Sequence, residues 1–397
     1  MKQYTHLAKE ALMRAFKTHR SACPSTFALV AMLLAICAAC ADVTDSIGPS
    51  VTNAALRVAG GIGVVDLGTL GGNTSHAFGL NTPSAGQPLL VVGDAQNPAG
   101  KTTASYWYYN VASGVASAGV GLSTADDMQS TAWGANESEQ IAGGSYTQVT
   151  TGGVTTYPSR GVRWTTSGAA GTLLGNLGGT YTQASAINTL GEIVGESTSP
   201  DGQMRPFLWN PNSGTLTDLG FFAGVDIQVE DRNANGTIVG AVRSTPSTLQ
   251  TAFVWRAGVF ALLPDLGAPP AGDGIVSYAT GVNDAGVIVG FVNTASFGIR
   301  AVRWNLAADG TYVVENLGLG TGSQASDINN AGEIVGIHRA TRSNGGFYLA
   351  GSILKELPAL SGTARPVRIN ENGDVVGFSN VRNGYTHAVV WTHVRTP

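Results

Sequence analysis

The side chains best suited to chemistry in this sequence are three carboxylates, Glu230, Asp231 and Asp327. Two carboxylates that face each other across a cleft can hydrolyse a glycosidic bond, one as the acid and the other as the base or nucleophile. Glu230 and Asp231 are neighbours on a predicted strand, where successive side chains point to opposite faces, so we expect them not to form such a pair. A glycan hydrolase or lyase would need Asp327 from across a channel, and this interpretation stays open as an alternative.

Beyond these carboxylates, the sequence contains no catalytic pattern. The nucleophile-elbow, zinc-protease, phosphate-loop and dinucleotide motifs are missing, and the histidines show no ligand spacing: His6, His19, His76, His338, His387 and His393. Residues 231–236 resemble the start of a calcium loop, but Val242 stands where that loop requires a Glu. Because the segment coincides with a recurring Asn-x-x-Gly turn, we predict a turn without a metal or cofactor. A binding protein is favoured over an enzyme.

Candidate binding residues come from two positions, five and three residues ahead of an Asn that recurs in seven copies. If these strands line a channel, such polar and aromatic side chains would surround its mouth, which is a common kind of ligand site. We predict that the site consists of His76, Trp133, Gln183, Gln228, Glu230, Tyr278, Gln324 and Arg365. Its ligand would be a protein or a neutral or polar glycan that stacks on Trp133. The alternative is that these side chains only pack between repeats or face water.

The seven copies of the repeat position these residues. The Asn recurs at intervals of 41 to 55 residues, at Asn81, Asn136, Asn188, Asn233, Asn283, Asn329 and Asn370. A Gly follows, seven residues later in six copies, at Gly93, Gly143, Gly195, Gly240, Gly290, Gly336 and Gly377. The next phrase ends in Trp107, Trp164, Trp209, Trp255, Trp304 and Trp391, with Leu349 in the sixth copy. Constant spacing within phrases and variable spacing between them indicate rigid elements joined by tolerant loops.

Each phrase has the alternating or β-branched pattern of a strand. Four strands in about 50 residues, repeated along the chain, are typical of β-propeller blades. The last copy lacks a fourth strand, whereas a spare one, residues 64–68, precedes the first copy. We therefore predict an all-β, seven-bladed propeller over residues 62–397, closed by the N-terminal strand completing the last blade. An open β-solenoid or a sandwich is the alternative, although an open stack leaves unpaired edges.

The first 39 residues have the features of an export signal: basic residues, then an apolar stretch over residues 27–36 that is too short to span a bilayer. The sequence Cys37-Ala38-Ala39-Cys40 follows and resembles a bacterial lipobox, although a Leu would be usual at the position of Cys37. We predict a lipoprotein signal peptide over 1–39, lipidation of Cys40 and a flexible tether over 40–61. The resemblance implies an outer-membrane lipoprotein, periplasmic or surface-exposed. Cleavage after Ala39 or Ala41, which would give a secreted protein, is the alternative.

Charge argues against two classes of partner. The chain has a net charge of −4, and removal of the first 39 residues, with five of its 22 basic and one of its 26 acidic residues, leaves −8. Only two lysines, Lys101 and Lys355, then remain. A chain with so few cations has no patch to neutralise phosphates, so we expect no nucleic-acid binding and membrane contact only through a lipid anchor.

The combined phrases resemble the bacterial extracellular HAF repeat over residues 62–392. The resemblance is carried by residues 66–72, Asp-Leu-Gly-Thr-Leu-Gly-Gly, by the Ala-x-x-Ile-Asn-x-x-Gly-x-Ile-Val-Gly phrase and by Ala252-Phe253-Val254-Trp255. The closest match to the His-Ala-Phe signature is His387-Ala388-Val389-Val390-Trp391; most copies replace the His. The family implies an exported bacterial propeller and no established activity. We expect a monomeric binding or interaction module; a glycan-cleaving enzyme and a purely structural envelope protein are the alternatives.

Overall fold

The computed structural model describes residues 62–394, except 125–128, 147–148, 152–153, 157, 169, 221–224, 245–248, 268–273, 275, 297, 341–342 and 393. Strands account for all the regular secondary structure in this part of the chain. None of the residues described belongs to a helix of the length and apolarity that would cross a membrane.

The strands form seven antiparallel sheets, blades 1 to 7, each with an innermost, second, third and outermost strand. The innermost strands are Ser75–Leu80, Gln129–Ala135, Thr182–Ile187, Val225–Arg232, Ser277–Val282, Gln324–Ile328 and Ala364–Ile369. The second strands are Leu89–Gln96, Gln140–Tyr146, Ile193–Thr198, Ile238–Ser244, Ile288–Thr294, Ile334–Ala340 and Val375–Asn380. The third strands are Thr102–Asn110, Ser159–Thr165, Met204–Asn210, Gln250–Arg256, Gly298–Leu306, Ser343–Ala350 and Thr386–Thr392.

The outermost strands are short, and blade 7 takes its own from the other end of the chain. Blade 1 ends in two pieces, Val115–Ala116 and Val120–Gly121; the others end in Thr172–Leu173, Thr215–Asp218, Val259–Leu262, Tyr312–Asn316, Ile353–Leu357 and, for blade 7, Gly63–Gly68. Gly63 lies opposite Thr392 and Val65 opposite Val390 in an antiparallel ladder. The predicted seven-bladed propeller and its closure by the N-terminal strand are confirmed. A separate hairpin, Val149–Thr151 with Val154–Thr156, forms a two-stranded sheet of its own.

The recurring Asn forms the turn between the innermost and second strands. In blades 2 to 7 its Oδ1 accepts the N–H of the residue four positions on, at 2.8–3.0 Å. The Asn backbone N–H donates to the carbonyl of that same residue, as Asn283 does to Val287. One side chain therefore satisfies a backbone donor that the turn would leave unpaired, as expected of Asn in turns. The predicted turn at residues 231–236 is confirmed by the same bonds at Asn233.

The other end of the Asn side chain links neighbouring blades. In five joints its Nδ2 donates to the backbone carbonyl of the Asn in the next blade: Asn136 to Asn188, Asn233 to Asn283, Asn283 to Asn329, Asn329 to Asn370 and Asn370 to Asn81. The last of these bonds, 2.8 Å long, joins blade 7 to blade 1 across 289 residues of sequence. The Asn recurs in the repeat because one residue both shapes its own turn and connects two blades.

We expect Asn283→Ala to lower the free energy of unfolding by about 2–4 kcal/mol, because it leaves the Val287 N–H and the Asn329 carbonyl without their partners. Asn283→Asp retains the acceptor and loses only the donor, so about half of that loss is expected. Urea-unfolding midpoints of the two variants and the parent measure the difference. Equal midpoints for Asn283→Ala and the parent would show that the linkage contributes nothing.

The Gly that closes the second phrase is required by the close approach of two strands. A Cβ at this position in any blade would lie 1.9–2.1 Å from a carbonyl oxygen of the innermost strand, that of the residue just before the one opposite the Gly. No side chain fits at that distance, so the backbone itself fills the space.

Large aromatic side chains fill the space between blades further from the axis. Trp107, Trp164, Trp304 and Trp391 are at most 1% exposed and Trp209 is 6% exposed. Three of these indoles also donate to a carbonyl at the end of the preceding blade's outermost strand: Trp164 to Ser123, Trp304 to Pro264 and Trp391 to Pro358. In these three blades the Trp therefore contributes both apolar packing and an inter-blade hydrogen bond.

Candidate functional site

The innermost strands enclose a cavity of about 190 Å³ on the propeller axis, the channel cavity. Its lining belongs to the later halves of these strands and to the turns that follow them. The polar side chains in that lining include Asp231, Asp327, Arg368 and Glu371, and Trp133 supplies an aromatic face.

A β-bulge in each innermost strand directs side chains into this region. The register shifts at the residue three positions before each Asn, namely Phe78, Trp133, Ser185, Glu230, Thr280, Ser326 and Val367. A bulge leaves one residue outside the ladder and re-aims its neighbours. The next position holds a small residue in four blades, Gly79, Gly134, Ala186 and Gly281, and a charged one in three, Asp231, Asp327 and Arg368.

Arg368 reaches from blade 7 to blades 4 and 5. Its Nη2 donates to the carbonyl of Glu230 and its Nη1 to the carbonyl of Thr280, both at 3.1 Å. These carbonyls belong to bulge residues, which lie outside the regular ladder and are therefore available to a side-chain donor. The same Nη1 lies 3.9 Å from Oδ1 of Asp327. One guanidinium thus joins three blades at the centre of the ring.

The two aspartates each bind the following blade with one oxygen. Oδ2 of Asp231 accepts the Val282 N–H at 3.0 Å, and Oδ2 of Asp327 accepts the Ile369 N–H at 2.9 Å. A Cβ on Gly281 would lie 2.7 Å from Oδ1 of Asp327, so only glycine leaves room for that carboxylate.

Glu230 and Asp231 both bond to blade 5. Oε1 of Glu230 accepts from the Tyr278 hydroxyl at 2.5 Å, while Asp231 bonds to Val282. The prediction that these neighbours point in opposite directions is wrong, because the bulge at Glu230 interrupts the alternation of the strand.

Burial shifts the acids around the channel toward their neutral forms. It raises the pKa of Glu196, whose Oε2 accepts the Val229 N–H, to about 8. Burial also raises the pKa of Asp327 to about 7, with Arg368 opposing the shift and Asp231 adding to it. The pKa values of Glu230 and Asp231 are raised as well, again mainly by burial. Acids of this kind can donate or accept hydrogen bonds near neutral pH.

These shifts predict that the protein is less stable at pH 8 than at pH 5. Glu196 binds a proton in the folded state that it releases on unfolding, so the free energy of unfolding falls as pH rises from the ordinary Glu pKa to about 8. The loss attributable to Glu196 is on the order of 3 kcal/mol. We expect Glu196→Gln to flatten the pH profile and to be more stable than the parent at pH 8. Urea unfolding between pH 5 and 8 measures both effects.

The matched control for this experiment is Glu137→Gln, an exposed change that retains an acceptor for the Thr82 N–H. We expect its profile to parallel that of the parent. If the Glu196→Gln profile were also parallel to the parent's, burial of that acid would not explain the pH dependence.

Of the eight residues predicted to bind a ligand, Trp133 alone lines the channel cavity. Gln183, Gln228, Tyr278 and Arg365 are 2–6% exposed, whereas His76, Glu230 and Gln324 are partly exposed. The structure brings Tyr278 and Glu230 together by their hydrogen bond. Whether the eight residues bind a ligand stays a prediction, as does the lipidation of Cys40, which lies outside the described residues.

His76 and Trp133 belong to an aromatic cluster on the opposite side of the ring from the acids. The ring centroids of Phe78 and Trp133 are 4.6 Å apart, and those of His76 and Phe378 are 4.9 Å apart. His76 also pairs through Nδ1 with Asp94 at 2.8 Å. Nε1 of Trp133 is buried and has no hydrogen-bond partner among the described residues. The surroundings of the channel are therefore acidic on one side and aromatic on the other.

Sequence reasoning missed Arg368, which donates hydrogen bonds to blades 4 and 5. A signal was available, because Arg368, Asp231 and Asp327 are the charged exceptions in a column that otherwise holds Gly or Ala. Small residues predominate where strands converge, so a charge at such a position indicates a specific partner.

No protein-family model matches this chain, and no curated protein does. Among solved structures, the chain is similar to the β-propeller domain of the trilobed protease from Pyrococcus furiosus, with an open velcro topology, at 10% identity and a TM-score of 0.50, over 81% of this chain and 96% of that one. It is also similar to a fungal alcohol oxidase in complex with copper, at 14% identity and a TM-score of 0.47, over 86% of this chain and 76% of that one. A third match is TolB from Acinetobacter baumannii, at 12% identity and a TM-score of 0.40, over 77% of this chain and 80% of that one. At these identities the likeness concerns the fold alone.

Proposed function

We propose that this chain is an exported binding module of the HAF-repeat kind, whose channel cavity holds a neutral sugar residue of a glycan. The observation that carries the proposal is the composition of the cavity: two aspartates, an arginine and a tryptophan belong to one lining. Sugar hydroxyls both donate and accept hydrogen bonds, and acids with raised pKa values can match either role.

Size and charge narrow the class of ligand. About 190 Å³ is below the roughly 300 Å³ at which ligand pockets usually begin, so a single sugar residue fits better than a longer segment. Arg368 is engaged by carbonyls and surrounded by acids, which disfavours an anionic ligand such as a uronate. Trp133 adds an aromatic face to the lining.

Binding of neutral monosaccharides and oligosaccharides to residues 42–397, measured by thermal shift and calorimetry, tests this function. A ligand that binds only the folded state raises its melting temperature. We expect Asp231→Asn to weaken binding at least about tenfold, because a hydrogen bond to a charged group is replaced by a weaker one. Asp309→Asn, an exposed change in a turn, should leave affinity unchanged. No shift across the panel would argue against a glycan ligand and favour a protein partner or a structural role.

The location at the outer membrane belongs to the same proposal. The basic and apolar N-terminal segment and the Cys37–Cys40 lipobox resemblance support it. We expect Cys40→Ser to release the protein from the membrane fraction of a bacterial host. Membrane retention of that variant would contradict lipid anchoring at Cys40.

A glycan hydrolase or lyase is the second candidate, and the presence of two carboxylates, Asp231 and Asp327, in the lining of one cavity favours it. Asp327, with a pKa raised to about 7, could serve as the acid, while Asp231 remains the base or nucleophile. Release of reducing ends from any glycan that binds would support catalysis. We expect Asp327→Asn to abolish this release while binding persists; an unchanged rate would exclude Asp327 as the acid.

A further inference from the structure

Three kinds of hydrogen bond recur at the joints between neighbouring blades. The first joins the side chain of one Asn to the carbonyl of the next Asn, and the second joins a Trp indole to a carbonyl of the preceding blade. In the third, a backbone N–H of the third strand donates at 2.9–3.0 Å to a Ser hydroxyl of the next innermost strand: Ala104 to Ser130, Ala252 to Ser277, Ala301 to Ser323 and Ala388 to Ser75. Among the described residues, six joints contain at least one of the three kinds, and the joint between blades 3 and 4 contains none.

The residues at the joint between blades 3 and 4 explain the missing bonds. Pro206 occupies the position of the donor Ala and has no N–H to donate, while Ile227 occupies the position of the Ser and has no hydroxyl. Asn188 donates to Oε2 of Glu192, in its own blade, at 2.9 Å. The indole of Trp255 is partly exposed and has no carbonyl partner in the part of the chain that the structure describes. The difference at this joint is therefore encoded in the sequence.

Apolar packing is also incomplete at this joint. A cavity of about 300 Å³ lies between the two blades, and its walls are mostly apolar: Val194, Leu208, Leu219, Ile238 and Trp255. Protein interiors are normally packed as densely as organic crystals, and side chains that line an empty space lose dispersion contacts. The two blades are therefore held together less firmly by packing as well as by hydrogen bonds.

Two glutamates of blade 3 provide the polar contacts that remain. Oε2 of Glu192 lies 3.0 Å from Nη1 of Arg232, and these side chains are 22% and 6% exposed. Oε2 of Glu196 accepts the N–H of Val229 at 3.2 Å. An arginine at this position is particular to blade 4, because the residue before the recurring Asn is apolar in the other six copies: Leu80, Ala135, Ile187, Val282, Ile328 and Ile369. One ion pair thus occupies a place where the other joints have only apolar side chains.

We infer that the ring opens preferentially at the joint between blades 3 and 4, called here the seam, and that the Arg232–Glu192 pair is its latch. Local opening occurs where the fewest contacts oppose it. Residues 185–187 lie on one side of the seam and Asp231 on the other, and all of them belong to the lining of the channel cavity. Opening of the seam therefore gives the channel cavity a lateral entrance, whichever ligand the cavity holds.

Thiol labelling measures this opening. Residues 42–397 contain the whole ring and no cysteine, so a single introduced thiol reports on one joint. Val194→Cys places the thiol at the seam, and Val239→Cys places it at the same position of the next blade, in the joint that has all three kinds of bond. Both valines are 0% exposed, and Cys is a small apolar residue that such a site accepts. We expect iodoacetamide to label Val194→Cys at least about tenfold faster than Val239→Cys.

Glu192→Gln tests the latch. The change removes the charge that attracts Arg232, so labelling of Val194→Cys should become about fivefold faster while that of Val239→Cys stays the same. Glu333→Gln is the matched control, because Glu333 occupies the same position in blade 6 and its carboxylate accepts hydrogen bonds from its own blade. We expect this control to leave labelling at the seam unchanged.

Two results would overturn the inference. Equal labelling rates for Val194→Cys and Val239→Cys would exclude preferential opening of the seam. Equal effects of Glu192→Gln and Glu333→Gln on the labelling of Val194→Cys would exclude the ion pair as the latch. Because unfolding of the whole ring exposes both thiols alike, the ratio of the two rates reports opening of the seam even in a variant of lower overall stability.

Discussion

A chain that begins at residue 69, and so lacks the strand Gly63–Gly68, is expected to lose most of its stability. Val64, Val65 and Leu67 are each 1% exposed in blade 7, and burial of three such side chains contributes about 5–9 kcal/mol. That amount is comparable to the total stability of a typical domain. Removal also uncovers the ladder edge of Thr386–Thr392, which then offers unpaired backbone groups to other chains. Urea unfolding and light scattering measure the loss of stability and the resulting aggregation.

Relocation of the same strand provides the control. Gly63 lies opposite Thr392, so residues 62–68 can follow the last strand through a short hairpin loop. We expect this rearranged chain to recover the unfolding midpoint of the parent, because the ladder is restored with a different order of connections. If the shortened chain alone unfolded at the parent midpoint, closure by this strand would have no role in stability.

Arg368→Met is expected to lower the free energy of unfolding by about 3–5 kcal/mol at pH 8, because it leaves buried carboxylates without their cation. The variant also deprives the carbonyls of Glu230 and Thr280 of their donor. Without the attraction of Arg368, the pKa of Asp327, already raised to about 7 by burial, rises further. The charge-dependent part of the destabilisation is therefore present at pH values above that pKa and disappears as the acids bind protons. The free energy of unfolding should consequently fall less at pH 5 than at pH 8.

The double variant Arg368→Met with Asp327→Asn separates charge from packing. It removes the uncompensated carboxylate while Asn keeps an acceptor for the Ile369 N–H. We expect it to recover part of the loss at pH 8 and to show little pH dependence from this pair. A loss of equal size at pH 5 and pH 8 for the single variant would indicate that Arg368 acts through packing alone.

The architecture was accessible from the sequence because its determinants are local and repeated seven times. The Asn turn, the Gly beside it and the spare strand at residues 64–68 each have one physical cause that acts in every copy. Because the seven copies share these residues, each of them indicates the same four-stranded blade. The number of strands indicates that the N-terminal strand completes the last blade. These features are sufficient to predict the ring without any contact between blades.

The channel was less accessible because it depends on a departure from regular strand geometry. The bulge at Glu230 has no distinctive residue, yet it turns Asp231 toward blade 5 and frees the carbonyl that binds Arg368. Residues five positions before the Asn were expected at an open mouth, but Gln183, Gln228, Tyr278 and Arg365 are largely covered. Their burial depends on how closely adjacent blades approach, which no single repeat encodes.

The pairing of Gly63 with Thr392 also fixes the face of the ring at which the N-terminal strand begins. The N-terminal strand begins beside Thr392, where the third strand of blade 7 ends. This is the face of the ring that carries the Asn turns. Thr82 and Glu371, in two of those turns, belong to the lining of the channel cavity. Under the proposed anchoring at Cys40, the glycan would therefore approach from the anchored face, within the gap between disc and bilayer. Sugars carried close to the membrane would be the accessible ones, and the opposite face would remain free for other contacts.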